Sequence, residues 1–131
     1  MNLDDLRRLA DEGRALLDRL ILKEFEISAA VWAHDAENDR WKLHIASTYS
    51  DIHGTTAGFG EVYDALDETR PLWLDSMAIT VVGAGSTAGK DAIPMYKGFP
   101  AEKPVRYYGP CLGGTVVDHA YLYRQPVAGR A

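Results

Sequence analysis

The sequence predicts an α+β fold, a two-layer sandwich with helices on one face of a mainly antiparallel sheet of about five strands. Three observations predict it. An amphipathic helical stripe opens the chain, β-hairpin patterns lie near both ends, and a second helical stripe with a short apolar β-type run falls between them. The expected order is α-β-β-α-β-(α)-β-β, in a single domain over residues 1–131.

The first element is a helix over residues 3–22. Leu3, Leu6, Ala10, Leu17 and Leu20 fall on one stripe, with Leu9 and Leu16 beside it. Asn2 is a fitting N-cap, Asp4 and Asp5 suit the positive end of the helix dipole, and Asp4 pairs with Arg8 at i,i+4. Gly13 interrupts the stripe at a cost of about 1 kcal/mol relative to alanine. Strands follow over 27–34 and 41–48, joined by the polar turn 35–40. Setting His34 opposite Trp41 places Trp32 against Leu43 and Ala30 against Ile45, and turns Lys42 and His44 to the other face. Phe59, Val62, Tyr63 and Leu66 mark a second helix, ended by Thr69-Arg70-Pro71. Met77 to Val82 reads as a central strand, followed by a glycine-rich loop and a short helix near 91–98 that Pro94 limits. The last element is a hairpin over about 104–124, with Gly113-Gly114 suited to a type I′ turn.

Composition narrows the class. Of the 131 residues, 47% are hydrophobic and 25% charged, which fits a globular chain and excludes a disordered or fibrous one. No apolar run reaches the roughly 20 residues that span a bilayer, and the acidic start is unlike a secretory signal. The single cysteine, Cys111, makes neither an internal disulfide nor a multi-thiolate metal site. The expectation is a cytoplasmic protein without a membrane partner. The net charge of −5 argues against duplex nucleic acid, although residues 69–131 carry seven bases against four acids and five of the seven tyrosines.

Few constellations point to chemistry. Gly83-Ala84-Gly85-Ser86-Thr87-Ala88 satisfies a dinucleotide-binding G-x-G-x-x-[GA] after a strand, but Pro94, Pro100 and Pro104 break the helix and parallel strand that must follow. A phosphate-binding P-loop fails at Ala84 and Asp91. His34, His44, His53 and His119 lack metal-ligand spacing, so no metal and no cofactor is expected. Asp51 and His53 would share one side of an extended segment, and Asp118 adjoins His119. Cys111 is a nucleophile only beside a histidine that lowers its pKa, and otherwise packs as a small side chain.

The terminal hairpin is more informative. Setting Leu112 opposite Thr115 pairs Tyr108 with His119 and Arg106 with Tyr121, so one face carries Arg106, Tyr108, His119, Tyr121 and Tyr123. That face suits stacking on bases or holding an extended peptide. It equally suits cross-strand aromatic pairing or coverage by a helix. Val105, Tyr107, Cys111, Val116, Ala120 and Leu122 form the opposite, core-directed face.

Trp32, the run Asp39-Arg40-Trp41-Lys42-Leu43-His44-Ile45-Ala46-Ser47, the helix with Tyr63, Val105-Arg106-Tyr107-Tyr108-Gly109, and Val116 to Arg124 together resemble a group of small uncharacterised bacterial α+β proteins. A W-x-L-x-I-A-[ST] strand and a closing A-Y-[IL]-Y-R strand mark that group. The resemblance covers most of residues 25–124 and implies a shared fold, with no activity to carry over.

These observations favour a non-enzymatic module that binds an unidentified protein partner or assembles with itself, through the N-terminal helix and the five hairpin residues. Two alternatives stand beside it. One is a small ligand-binding domain or enzyme using loop 83–91 with some of Asp51, His53 and His119. The other is single-stranded nucleic-acid binding by the hairpin.

Overall fold

The computed structural model describes residues 3–98, 104–106, 112 and 116–123. The protein is α+β. Its elements are α1 (Leu3–Leu22), β1 (Ala29–Asp35), β2 (Arg40–Ser47), α2 (Thr48–His53), α3 (Thr55–Thr69), β3 (Ile79–Gly83), α4 (Thr87–Gly98), β4 (Pro104–Arg106) and β5 (Val117–Leu122). The sheet order is β3-β2-β1-β5-β4. β1 pairs antiparallel with β2 and β5, and β5 pairs antiparallel with β4. β2 and β3 run parallel, because α2 and α3 carry the chain back between them.

Helices cover both faces, so the expected two layers are three. Ala30, Trp32, Leu43, Ile45 and Val81 face α1 and α3, and bury Leu16, Leu17, Leu20, Val62, Ala65 and Leu66. On the other face, Ala29, Val31, Ala33, Ala46, Ala120 and Leu122 pack with Ala92 of α4. Alanine at four of these sheet positions lets the helix approach closely. Central β1 is buried along its whole length by these two layers. The hydrophobic stripe of α1 is spent on this core, since Leu6, Ala10, Leu16, Leu17 and Leu20 are all buried.

The β1–β2 register matches the sequence reading, with His34 opposite Trp41, Trp32 opposite Leu43 and Ala30 opposite Ile45. Three other expectations are corrected. The 79–83 strand is an edge, not the centre of the sheet; its apolar character comes from being covered by α3 and α4 on its two faces. α4 runs from Thr87 through Pro94 to Gly98, longer than Pro94 suggested. In the terminal hairpin, His119 lies opposite Arg106 and Tyr121 opposite Pro104, two residues from the expected pairing. An even shift preserves which side chains share a face. The Gly113-Gly114 turn, Tyr107, Tyr108 and Cys111 lie outside the described residues.

Candidate functional site

The glycine-rich loop is closed by the protein itself. The Ser86 hydroxyl donates to the Gly83 carbonyl at 2.6 Å and accepts from the Gly89 N–H at 3.0 Å, capping α4. The Asp51 carboxylate accepts from the Gly85 N–H at 3.1 and 3.2 Å. A carboxylate therefore occupies the place where a phosphate would sit, and it repels a second anion. Gly83 and Gly89 serve packing. A Cβ at 83 would strike the Asp51 carboxylate, and one at 89 would strike the Gly83 and Ala84 carbonyls.

Of Asp51, His53 and His119, some of which the ligand-binding alternative sets around that loop, the fold places Asp51 against it at Gly85 and the two histidines elsewhere. Asp51 and His53 lie on helix α2, where a spacing of two turns their side chains about 200° apart. The His53 ring packs on Tyr49 one turn earlier, with centroids 4.4 Å apart. His119 is on β5, three strand positions from β3 and so about 14 Å across the sheet.

The expected hairpin surface is changed at its centre. Tyr123 is 2% exposed. Its hydroxyl accepts from the Trp32 indole N–H at 2.6 Å and donates to the Ala10 carbonyl of α1 at 2.7 Å. Burial raises its pKa further out of reach. Tyr123 is thus a core residue covered by a helix. Tyr121 is half-buried and packs edge-on against Tyr123, with centroids 5.7 Å apart. Tyr123 is buried, while Tyr121 remains partly exposed. Arg106 lies in β4 opposite His119. Its side chain and Tyr108 lie outside the described residues.

His119 instead joins a cluster that spacing along the chain did not reveal. Between His34 and Asp35 the β1–β5 register slips, leaving Asp118 without an opposing residue. This bulge aims the Asp118 carboxylate at His34. Asp118 Oδ1 lies 2.7 Å from His34 Nδ1 and 3.2 Å from His119 Nδ1. Asp39, in the left-handed turn position before β2, places Oδ1 2.8 Å from His34 Nε2. Trp41 flanks the His34 ring, with centroids 5.3 Å apart. Burial disfavours the His34 imidazolium, but the Asp118 and Asp39 carboxylates outweigh it and raise the pKa. Asp118 is likewise disfavoured as an anion by burial, yet held below its ordinary value by His34 and His119. His34 and His119 sit 85 residues apart in sequence but opposite one another on neighbouring strands. Antiparallel pairing of β1 with β5 is the long-range fact that the sequence alone withheld.

A fourth feature lies before β3. Leu72, Trp73 and Met77 are 88%, 56% and 74% exposed. The Glu12 carboxylate of α1 accepts from the N–H groups of Leu72, Trp73 and Leu74 at 2.6–2.7 Å, and the Arg8 guanidinium stands 4.8 Å from the Trp73 ring centroid. Buried Leu74 anchors the segment in the core. Asp75 then caps a 3-10 turn, Ser76–Ala78, that leads into β3. Three apolar side chains are thereby fixed outward beside a sheet edge. Among the described residues, nothing pairs with the outer side of β3, and no helix is long and apolar enough to cross a membrane.

Comparison of the chain with family models, with curated proteins and with solved structures returns no match.

Proposed function

We propose that this chain is a protein-binding module that assembles with a second copy of itself by pairing β3 edge to edge. The observation that carries this reading is the contrast between the two edges of the sheet. The β4 edge begins with Pro104 and ends with Arg106, two residues that discourage strand addition. The β3 edge, Ile79-Thr80-Val81-Val82-Gly83, has neither charge nor proline. Unpaired strand edges of this kind invite a further strand through main-chain hydrogen bonds. Two copies related by a two-fold axis satisfy both edges at once, since β3 pairs antiparallel with itself. Leu72, Trp73 and Met77, on the segment leading into that edge, supply apolar area on backbone that Glu12 holds at Leu72 and Trp73 and Asp75 holds at Met77, so little conformational entropy is lost on docking.

Sedimentation velocity on the full chain over a wide concentration range tests this. Wild type is expected to pass from monomer to dimer. The double substitution Leu72→Ser, Met77→Ser, which spares the buried Leu74, is expected to weaken the dimer tenfold or more. A wild-type chain that stays monomeric at high micromolar concentration overturns self-assembly, as does a dimer that the double substitution leaves unchanged.

A further inference from the structure

We propose that His34, Asp118 and His119 form a binding site for one divalent transition-metal ion of the zinc class, independent of the β3 edge. Their ligand atoms all lie within 4.8 Å of one another. A tetrahedral ion with bonds of about 2.0–2.2 Å needs its ligands roughly 3.3 Å apart. Modest side-chain rotations around the 2.7 and 3.2 Å contacts of Asp118 Oδ1 meet that requirement.

Two further observations point to an ion there. The first is the state of His34. Both of its ring nitrogens face carboxylate oxygens, Nδ1 toward Asp118 and Nε2 toward Asp39. The imidazolium donates to both, whereas the neutral ring, with one N–H, satisfies only one. An ion on Nδ1 takes the place of the proton facing Asp118, and the remaining Nε2–H still donates to Asp39. That carboxylate–histidine–metal chain is the usual way in which a ligating imidazole is oriented. The second observation is His119 Nδ1, which is inaccessible to solvent and makes no aligned hydrogen bond, although Asp118 Oδ1 is 3.2 Å away. A buried ring nitrogen beside a shared carboxylate, without an aligned hydrogen bond to it, is placed so that an ion between the two would engage both.

The donor set fixes the class of ion. Two imidazole nitrogens and one carboxylate oxygen suit Zn²⁺, Co²⁺ or Ni²⁺, whereas Ca²⁺ and Mg²⁺ call for oxygen donors throughout. Three protein ligands leave a fourth position for water, and the half-exposed flanks of Asp118 and His119 open it to solvent. Binding displaces the proton shared between His34 and Asp118, which leaves to solvent.

The test is titration of the metal-stripped full chain with Co²⁺, read by its visible absorption, followed by displacement with Zn²⁺. One equivalent is expected to bind, raise the melting temperature and give the intense band of a low-coordinate site. Asp118→Asn and His119→Ala, both on partly exposed side chains, are expected to lose affinity tenfold or more. Asp39→Asn is expected to weaken binding about 10- to 100-fold by freeing the His34 ring. His53→Ala, on the opposite side of the sheet's strand order, is expected to change nothing. Failure of the wild type to bind Co²⁺ and Zn²⁺ overturns the proposal. Equal binding by Asp118→Asn and wild type overturns it too, as does equal preference for Ca²⁺ or Mg²⁺.

Discussion

His44 is buried on β2 with neither ring nitrogen hydrogen-bonded, on the face that α4 covers. Burial, helped by the nearby Lys42 charge, pushes its pKa down to about 4. The unfolded chain accepts a proton near pH 6.5 that the folded chain refuses until about pH 4, so folding stability falls as pH drops through that window. Above it, His44 contributes no pH dependence. His34, with its raised pKa, acts in the opposite sense; it favours the folded state below its unfolded value and loses that contribution as pH rises through its folded one. Comparing wild type with His44→Leu cancels the His34 contribution. Urea denaturation is expected to show the variant gaining about 2 kcal/mol on wild type between pH 7 and pH 5. A stability difference independent of pH would contradict this placement of His44. The sequence turned His44 away from Trp32 correctly, since alternation along a strand fixes that. Its burial was not legible, because it depends on α4 packing against that side of the sheet.

At the scale of elements, the docking of α1 rests on Gly13. The residue weakens an isolated helix, yet a Cβ there would run into the Tyr123 hydroxyl and come within 3.2 Å of the Trp32 indole. Gly13 is the gap through which the Tyr123 hydroxyl reaches the Ala10 carbonyl. Gly13→Ala gains about 1 kcal/mol of helix propensity and loses about 1–3 kcal/mol to overpacking. A net destabilisation of up to about 2 kcal/mol is expected. In a Tyr123→Phe background the obstructing hydroxyl is gone, so the same substitution should be near neutral or stabilising. Chemical denaturation of the four chains of this cycle measures the coupling; additive effects would show that the hydroxyl does not set the approach of α1.

Other elements show where local pattern suffices. The β1–β2 hairpin was readable because its residues alternate and its turn is short, with Asp35 accepting from the Glu37 and Asn38 N–H groups to close it. The α3 terminus was readable from Thr69-Arg70-Pro71, and Arg70 does take the left-handed conformation that ends a helix. The 79–83 strand was misplaced because an apolar run reports covered faces, not paired edges. The candidate cluster was half legible. His119 and the adjoining Asp118 stood out beside the hairpin, but their meeting with His34 needs both the β1–β5 pairing and a one-residue bulge, and neither leaves a local mark in the sequence.

At the scale of the molecule, the described residues form three layers with two open sheet edges, and the two differ in kind. One carries proline and arginine, the other a strand without charge or proline preceded by three outward-facing apolar side chains. Self-assembly through β3 is the central claim, and amide hydrogen exchange at Thr80–Gly83, followed as protein concentration is raised, tests it most directly. N–H groups on the outer side of β3 should exchange quickly in dilute solution and slow in step with dimer formation, while those of β1 remain protected throughout. Exchange at Thr80–Gly83 that is indifferent to concentration, in samples where dimer is present, would contradict pairing at this edge.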